Sequence, residues 1–135
     1  MRLQRAFTLI EMMAVILILG LVMSVVVVNV MDKVEWSKVQ LTKVKMGTLA
    51  SALEMFRLDR ADYPDSEPGL VALLDNSSGY GRFVKNEQAL DDAWKRRFQY
   101  EHPPVRRERG YDLWSWGRDG SEGGEGPDAD IVSTE

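Results

Sequence analysis

RAFTLIEMMAVILILGLVMSVVVVNVM, residues 5–31, is the stretch that decides the architecture. From Met12 to Met31 twenty consecutive residues carry no charge, and most are Val, Ile, Leu or Met. A helix of that length rises about 30 Å, enough to cross a hydrocarbon core. Arg2 and Arg5 precede the run, so the positive-inside tendency puts the amino terminus in the cytoplasm and the bulk of the chain outside. A cleaved secretory signal would also explain a basic start and an apolar core. Such cores, however, run to only about 7 to 15 residues and end at a small-x-small site. Here Val25 to Val28 are bulky and Ser24 stands nearly alone. Glu11 is harder still to explain in a signal or simple anchor, because an acid inside an apolar run costs several kcal/mol unless it is paired. Its expected partner is a cation at the same depth.

No proline occurs before Pro64, and Val39, Met46, Leu49, Leu53 and Phe56 recur at helical spacing. The spacing puts them on one face, with Lys38 and Lys45 opposite. One helix is therefore expected from Phe7 to about Leu58, roughly 78 Å long. Its first half, 7–31, is the membrane and assembly segment. Its second half, 32–60, lays an amphipathic face on a globular region, 61–135. Asp59 to Pro64 ends the helix, since proline lacks the donor and restricts the residue before it.

Beyond that point the elements are short. Gly69 to Leu74 reads as a second helix and Ser77 to Gly81 as a connection. Phe98 to Tyr100 and Tyr111 to Trp116 read as strands, the latter with two largely apolar faces. Between them Pro103-Pro104 and the basic run from Arg106 to Arg109 make an irregular link. Lys95-Arg96-Arg97 and Arg106-Arg107-Arg109 could suggest a nucleic-acid patch. A solvated face or ion pairs between subunits is the better reading, because the chain carries a formal charge of −4, which becomes −6 without Arg2 and Arg5. No nucleic-acid partner is expected. Asp91 and Asp92 are read as solvated neighbours rather than a catalytic pair.

Composition excludes whole classes of chemistry. With no cysteine there is no disulfide, thiolate metal site or cysteine nucleophile, and one histidine, His102, cannot build an imidazole cluster. Only carboxylates and backbone oxygens remain as metal ligands. They concentrate in 116–131, where five of the eleven glycines fall and Asp119, Asp128 and Asp130 supply hard anionic oxygens. Calcium takes six to eight oxygens in flexible geometry, which such a loop can offer; magnesium demands a tighter octahedron. The segment is not an EF-hand. Counting from Asp119, Ser121 and Gly123 stand where acids belong, and Asp130 replaces the closing Glu. A solvated acidic tail is the competing reading, although Trp114, Trp116 and Ile131-Val132 on its flanks favour a closed loop.

Arg5-Ala6-Phe7-Thr8-Leu9-Ile10-Glu11-Met12-Met13 resembles the leader and first turn of type IV pilins and type II secretion pseudopilins. The resemblance implies that a prepilin peptidase cuts between Ala6 and Phe7, removing residues 1–6, and that Phe7 becomes an N-methylated amino terminus. It further implies that Glu11 neutralises the terminal amine of a neighbouring subunit during assembly. Tyr63-Pro64, Gly69-Leu70 and Ala72-Leu73, together with the run from Tyr111 to Gly120, resemble the major pseudopilin family of type II secretion, general secretion pathway protein G.

That family implies an α+β pilin-like fold: a long amino-terminal helix, half of it transmembrane, packed on a small antiparallel sheet with a calcium-binding loop. Carried over by position, Asp119, Asp128 and Asp130 become side-chain ligands, and Trp116 and Ser121 weaker carbonyl ligands. The implied protein is a structural subunit, not an enzyme, sitting single-pass in the bacterial inner membrane with its carboxy-terminal region in the periplasm. Its implied partners are copies of itself, minor pseudopilins and the inner-membrane secretion platform. A type IV pilus subunit for adhesion, motility or DNA uptake is the alternative. The chain departs from the family at Ala6, where Gly is usual, at Val28, where the family has a proline, and at Asp92-Ala93-Trp94-Lys95, where it has Asp-Pro-Trp-Gly.

Overall fold

The computed structural model describes residues 7–77, 81–106, 108 and 110–134, with backbone alone at 27–29. The leader 1–6, Ser78 to Tyr80 of the expected connection, Arg107 and Arg109 lie outside the described residues, as does the side chain of Val28. The chain divides into two units, Met1–Val34 and Glu35–Glu135.

Helix α1 covers Leu9–Arg60. It starts and stops within about two residues of the span expected from apolar periodicity. Thr8 caps it: the Glu11 backbone N–H donates to Thr8 Oγ1 at 3.3 Å, and Thr8 N–H donates back to Glu11 Oε2 at 2.8 Å. This reciprocal pair is a capping box. At the other end Ala61 adopts a left-handed φ of 71° and Pro64 follows, so the helical ladder cannot continue. In the first unit every described side chain from Phe7 to Val34 is exposed. This segment is long and apolar enough to cross a membrane.

The second unit holds the core. Val39, Met46, Leu49, Ala50 and Leu53 of α1 are buried with Leu70, Leu73, Leu90, Phe98, Leu113 and Ile131, and Phe56 packs at the margin. Full burial of a leucine contributes about 1.5–3 kcal/mol. That makes Leu53, Leu73, Leu90 and Leu113, each fully buried, the main apolar supports. Lys45 departs from the expected solvated face. Its Nζ donates to the carbonyls of Gln88 at 3.1 Å and Asp92 at 3.3 Å, binding the helix to the segment below it.

Three strands, β1 (Gln99–Glu101), β2 (Asp112–Ser115) and β3 (Ile131–Val132), form an antiparallel sheet in that order. Tyr100 pairs with Leu113, and Ser115 with Ile131. The expected second helix is a 3-10 helix at Gly69–Leu74, and further 3-10 turns occur at Glu87–Leu90 and Gly126–Asp128. β3 turns the tail into the third strand. Because β2 and β3 are adjacent, the glycine-rich segment between them must leave the sheet and return to it.

Candidate functional site

That returning segment begins where β2 ends. Gly117 adopts φ 63°, and a Cβ there would lie 2.7 Å from the carbonyl oxygens of Asp128 and Ala129. Only glycine lets the outgoing and incoming legs approach this closely. Arg118 N–H donates to Pro127 O at 2.9 Å, and Asp130 N–H to Gly123 O at 3.1 Å. Gly123 N–H donates in turn to Asp130 Oδ2 at 3.0 Å. The acidic segment is thus a closed loop, not a solvated tail.

The three expected carboxylates have different surroundings. Asp119 Oδ1 accepts from Ser121 N–H at 3.0 Å. Asp128 is gripped by Arg118, whose Nε and a terminal nitrogen donate to its two oxygens at 2.7 and 2.6 Å. This bidentate pair holds the Asp128 carboxyl below the usual carboxylate range. Asp130 Oδ1 is buried without a hydrogen-bond partner. Trp116 stacks edge-on against Trp114, and Ser121 is exposed. Among the described residues no three acidic or imidazole side chains are gathered into a metal-holding group. The donor chemistry nonetheless suits a hard cation: every candidate ligand is oxygen, and one carboxylate oxygen is buried and unsatisfied.

Basic residues that looked solvated are bound within the chain. Arg96 donates to the carbonyls of Gly117 at 2.9 Å and Arg118 at 2.6 Å, bracing the loop from below. Arg97 pairs with Glu87 and Asp91, each at 3.1 Å. Arg106 lies 4.7 Å from the centre of the Trp114 ring. Asp92 is a second correction, being buried rather than solvated. Its Oδ1 accepts from the N–H groups of Trp94 at 2.8 Å and Arg96 at 3.0 Å. The resulting turn places Lys95 at φ 64°, the departure from the family's glycine noted above. The contacts of Arg96 and Arg118 join positions 10 to 22 residues apart. No local spacing rule could have found them.

At the amino terminus Phe7 is exposed, and Glu11 is held by Thr8, whose hydroxyl donates to Oε2 at 3.0 Å. Thr8-x-x-Glu11 is the sequence signal for this contact, since a Ser or Thr followed three residues later by Glu marks a capping box.

Residues 1–27 match the prokaryotic N-terminal methylation motif. Residues 29–134 match the family model for type II secretion system (T2SS), protein G. The chain belongs to the type II secretion system protein G family.

Relatives in this family include the type II secretion system core protein G of Pseudomonas aeruginosa, 38% identical over 96% of this chain and 94% of that protein. The corresponding protein of Vibrio cholerae is 36% identical over 97% of this chain and 92% of its own length. Among solved structures, the major pseudopilin from the type 2 secretion system of enterohaemorrhagic Escherichia coli superposes with a TM-score of 0.54 at 26% identity, covering 78% of this chain and 90% of that one. The long helix and three-stranded antiparallel sheet are therefore the pseudopilin fold, and the methylation motif and long apolar helix of this protein G family member are consistent with membrane anchoring.

Proposed function

We propose that this chain is the major structural subunit of a type II secretion pseudopilus, polymerising in a calcium-stabilised form to help export folded proteins across the outer membrane. The observation that carries the reading is a protein G match over 29–134 joined to a helix whose described side chains are exposed from Leu9 to Val34. An apolar surface of that extent calls for lipid, or for the same helix of other copies.

In this reading the chain sits in the inner membrane with its amino terminus cytoplasmic and 61–135 periplasmic. A prepilin peptidase cuts between Ala6 and Phe7, and Phe7 is N-methylated. Glu11 then registers an incoming subunit by neutralising its terminal amine. Minor pseudopilins and the inner-membrane platform are its further partners. The role is structural rather than enzymatic.

Calcium is proposed to bind at 116–131 through the side chains of Asp119, Asp128 and Asp130, with the Trp116 and Ser121 carbonyls as further oxygens. Bound there, it would supply positive charge to the buried Asp130 oxygen, which has no hydrogen-bond partner. The chain's own contribution is to close the loop through Gly117 and Gly123 and to aim the buried Asp130 oxygen inward.

The test is the amount of a folded exported enzyme in periplasm and medium, in a strain lacking this chain and in one with it restored. Periplasmic retention that restoration reverses, with surface pili intact, is the expected outcome. Normal export with lost pili would transfer the chain to a type IV pilus.

A further inference from the structure

Asp128 cannot offer both oxygens to a metal while Arg118 holds them. The guanidinium donates to each carboxylate oxygen, at 2.7 and 2.6 Å, and so fills the chelating edge of that carboxylate. Asp130, two residues on, has no such partner at Oδ1. The loop backbone is closed independently of this pair, through Arg118 N–H to Pro127 O and Asp130 N–H to Gly123 O. Arg96 braces the same turn through two carbonyls. The Arg118 side chain is therefore not needed to close the loop. It is a positive charge delivered to one acid.

We propose that Arg118 is a tethered competitor for the metal, holding the Asp128 carboxylate when the divalent ion is absent and yielding it when the ion arrives. The inference rests on the calcium reading above and concerns what sets the affinity of that site. Because one group cannot serve both cations fully, each lowers the other's hold by the same factor. Arg118 is about half exposed, with 47% of its side-chain surface accessible, so the factor is modest. An exposed or half-exposed pair shifts such an equilibrium by up to about fivefold. Glu35 of α1 accepts from Lys38 Nζ at 2.9 Å and from Trp94 Nε1 at 2.8 Å. Glu35 is therefore already satisfied, and a released Arg118 guanidinium, about half exposed, is left to solvent. The device lets the fold stay closed at low divalent concentration and makes the site bind more weakly than its acids alone would.

The test is calorimetric titration of chelator-stripped full chain in detergent micelles with calcium chloride alone, for the unmodified chain, Arg118→Gln, Arg118→Lys and Lys43→Gln. Lys43 is an exposed cation beside the groove that Asp130 lines, so its loss controls for a general change of charge. The expected result is binding about threefold to fivefold tighter in Arg118→Gln, an intermediate gain in Arg118→Lys, and less than a twofold change in Lys43→Gln. Thermal melts supply a second readout. Arg118→Gln should lower the midpoint in chelator while leaving the calcium-saturated midpoint unchanged or raised. A purely structural role would lower both equally and would overturn the proposal, as would unchanged or weaker calcium binding in Arg118→Gln beside an unmodified chain that binds. Equal tightening in Lys43→Gln would also overturn it. If neither the unmodified chain nor any variant binds calcium, the calcium reading falls first and this inference with it.

Discussion

Ser115 on β2 donates its hydroxyl to Asp92 Oδ2 at 2.7 Å, with both residues buried. Through this contact and its own turn, Asp92 ties the sheet to the segment beneath α1. Replacing it with alanine leaves the Ser115 hydroxyl and the N–H groups of Trp94 and Arg96 without their acceptor. Asp92→Ala is expected to destabilise the fold by about 2–3 kcal/mol, since the buried Ser115 hydroxyl left unmet costs about 1–3 kcal/mol and the two half-buried N–H groups add less. Denaturant titration of the full chain in micelles checks this. A loss below about 1 kcal/mol would refute the hub role.

Backbone sign separates two loop positions. Lys95 sits at φ 64°, where a side chain is disfavoured, so Lys95→Gly should stabilise by about 0.5–1 kcal/mol once glycine's extra freedom in the unfolded chain is offset. Gly117→Ala should do the reverse, by about 3 kcal/mol, because its Cβ would meet two carbonyl oxygens at 2.7 Å. Gly110 also has a positive φ but open space around its Cβ, so Gly110→Ala should cost only about 1 kcal/mol. Melting all three variants side by side distinguishes strain from collision.

Calcium at about 100 times its dissociation constant should add about 2.7 kcal/mol if it binds only the folded chain. A rise in melting midpoint over chelator is the expected observation, abolished in Asp130→Asn. Identical midpoints with and without calcium would remove the metal from the account.

Stability should depend on pH in the acid range. Hydrogen bonds from Lys38 and Trp94 hold the Glu35 carboxyl below its ordinary 4.5, the Tyr63 hydroxyl does the same for Glu54, and Arg118 holds Asp128 below 3.8. Depressed carboxylates contribute stability that is complete above their unfolded values and lost as pH falls through their folded ones. The midpoint in chelator should therefore be flat above about pH 5 and decline below about pH 4. Glu35→Gln should make that decline shallower; an equally steep decline would exclude Glu35 as a contributor.

Glu11 has two possible employments, as helix cap and as counter-charge for another copy. Thr8→Val removes the hydroxyl that Glu11 accepts from but keeps the charge, whereas Glu11→Ala removes both. Both variants should insert in the membrane. Fibres should persist in Thr8→Val and fail in Glu11→Ala, as scored by electron microscopy of overexpressing cells. Normal fibres from Glu11→Ala would leave only the cap.

The elements of the fold were legible where short-range rules govern them. Apolar spacing located α1 to within about two residues, and Gly69–Leu74 and the first two strands followed from local composition. The tail was less legible. Two-residue β3 is too short for alternation to mark, and it becomes a strand only because β2 offers an edge to pair with. The candidate site divides the same way. Its oxygen chemistry was readable from Asp119, Asp128, Asp130 and the surrounding glycines, but the grip of Arg118 on Asp128 was not.

The sequence by itself determined a long helix with an apolar first half and a cysteine-free oxygen-donor loop, because periodicity and composition act within a few residues; the pilin-like architecture came from the resemblance of its motifs to a known family. Tertiary structure alone decided that Asp92 is buried, that Arg96 braces the loop, that Lys45 faces the fold and that Arg118 occupies Asp128. Each of those outcomes depends on which distant segment brings an opposite charge, a donor or a carbonyl acceptor within about 3 Å, and hydrogen bonds weaken too steeply with distance and angle for spacing along the chain to foretell them.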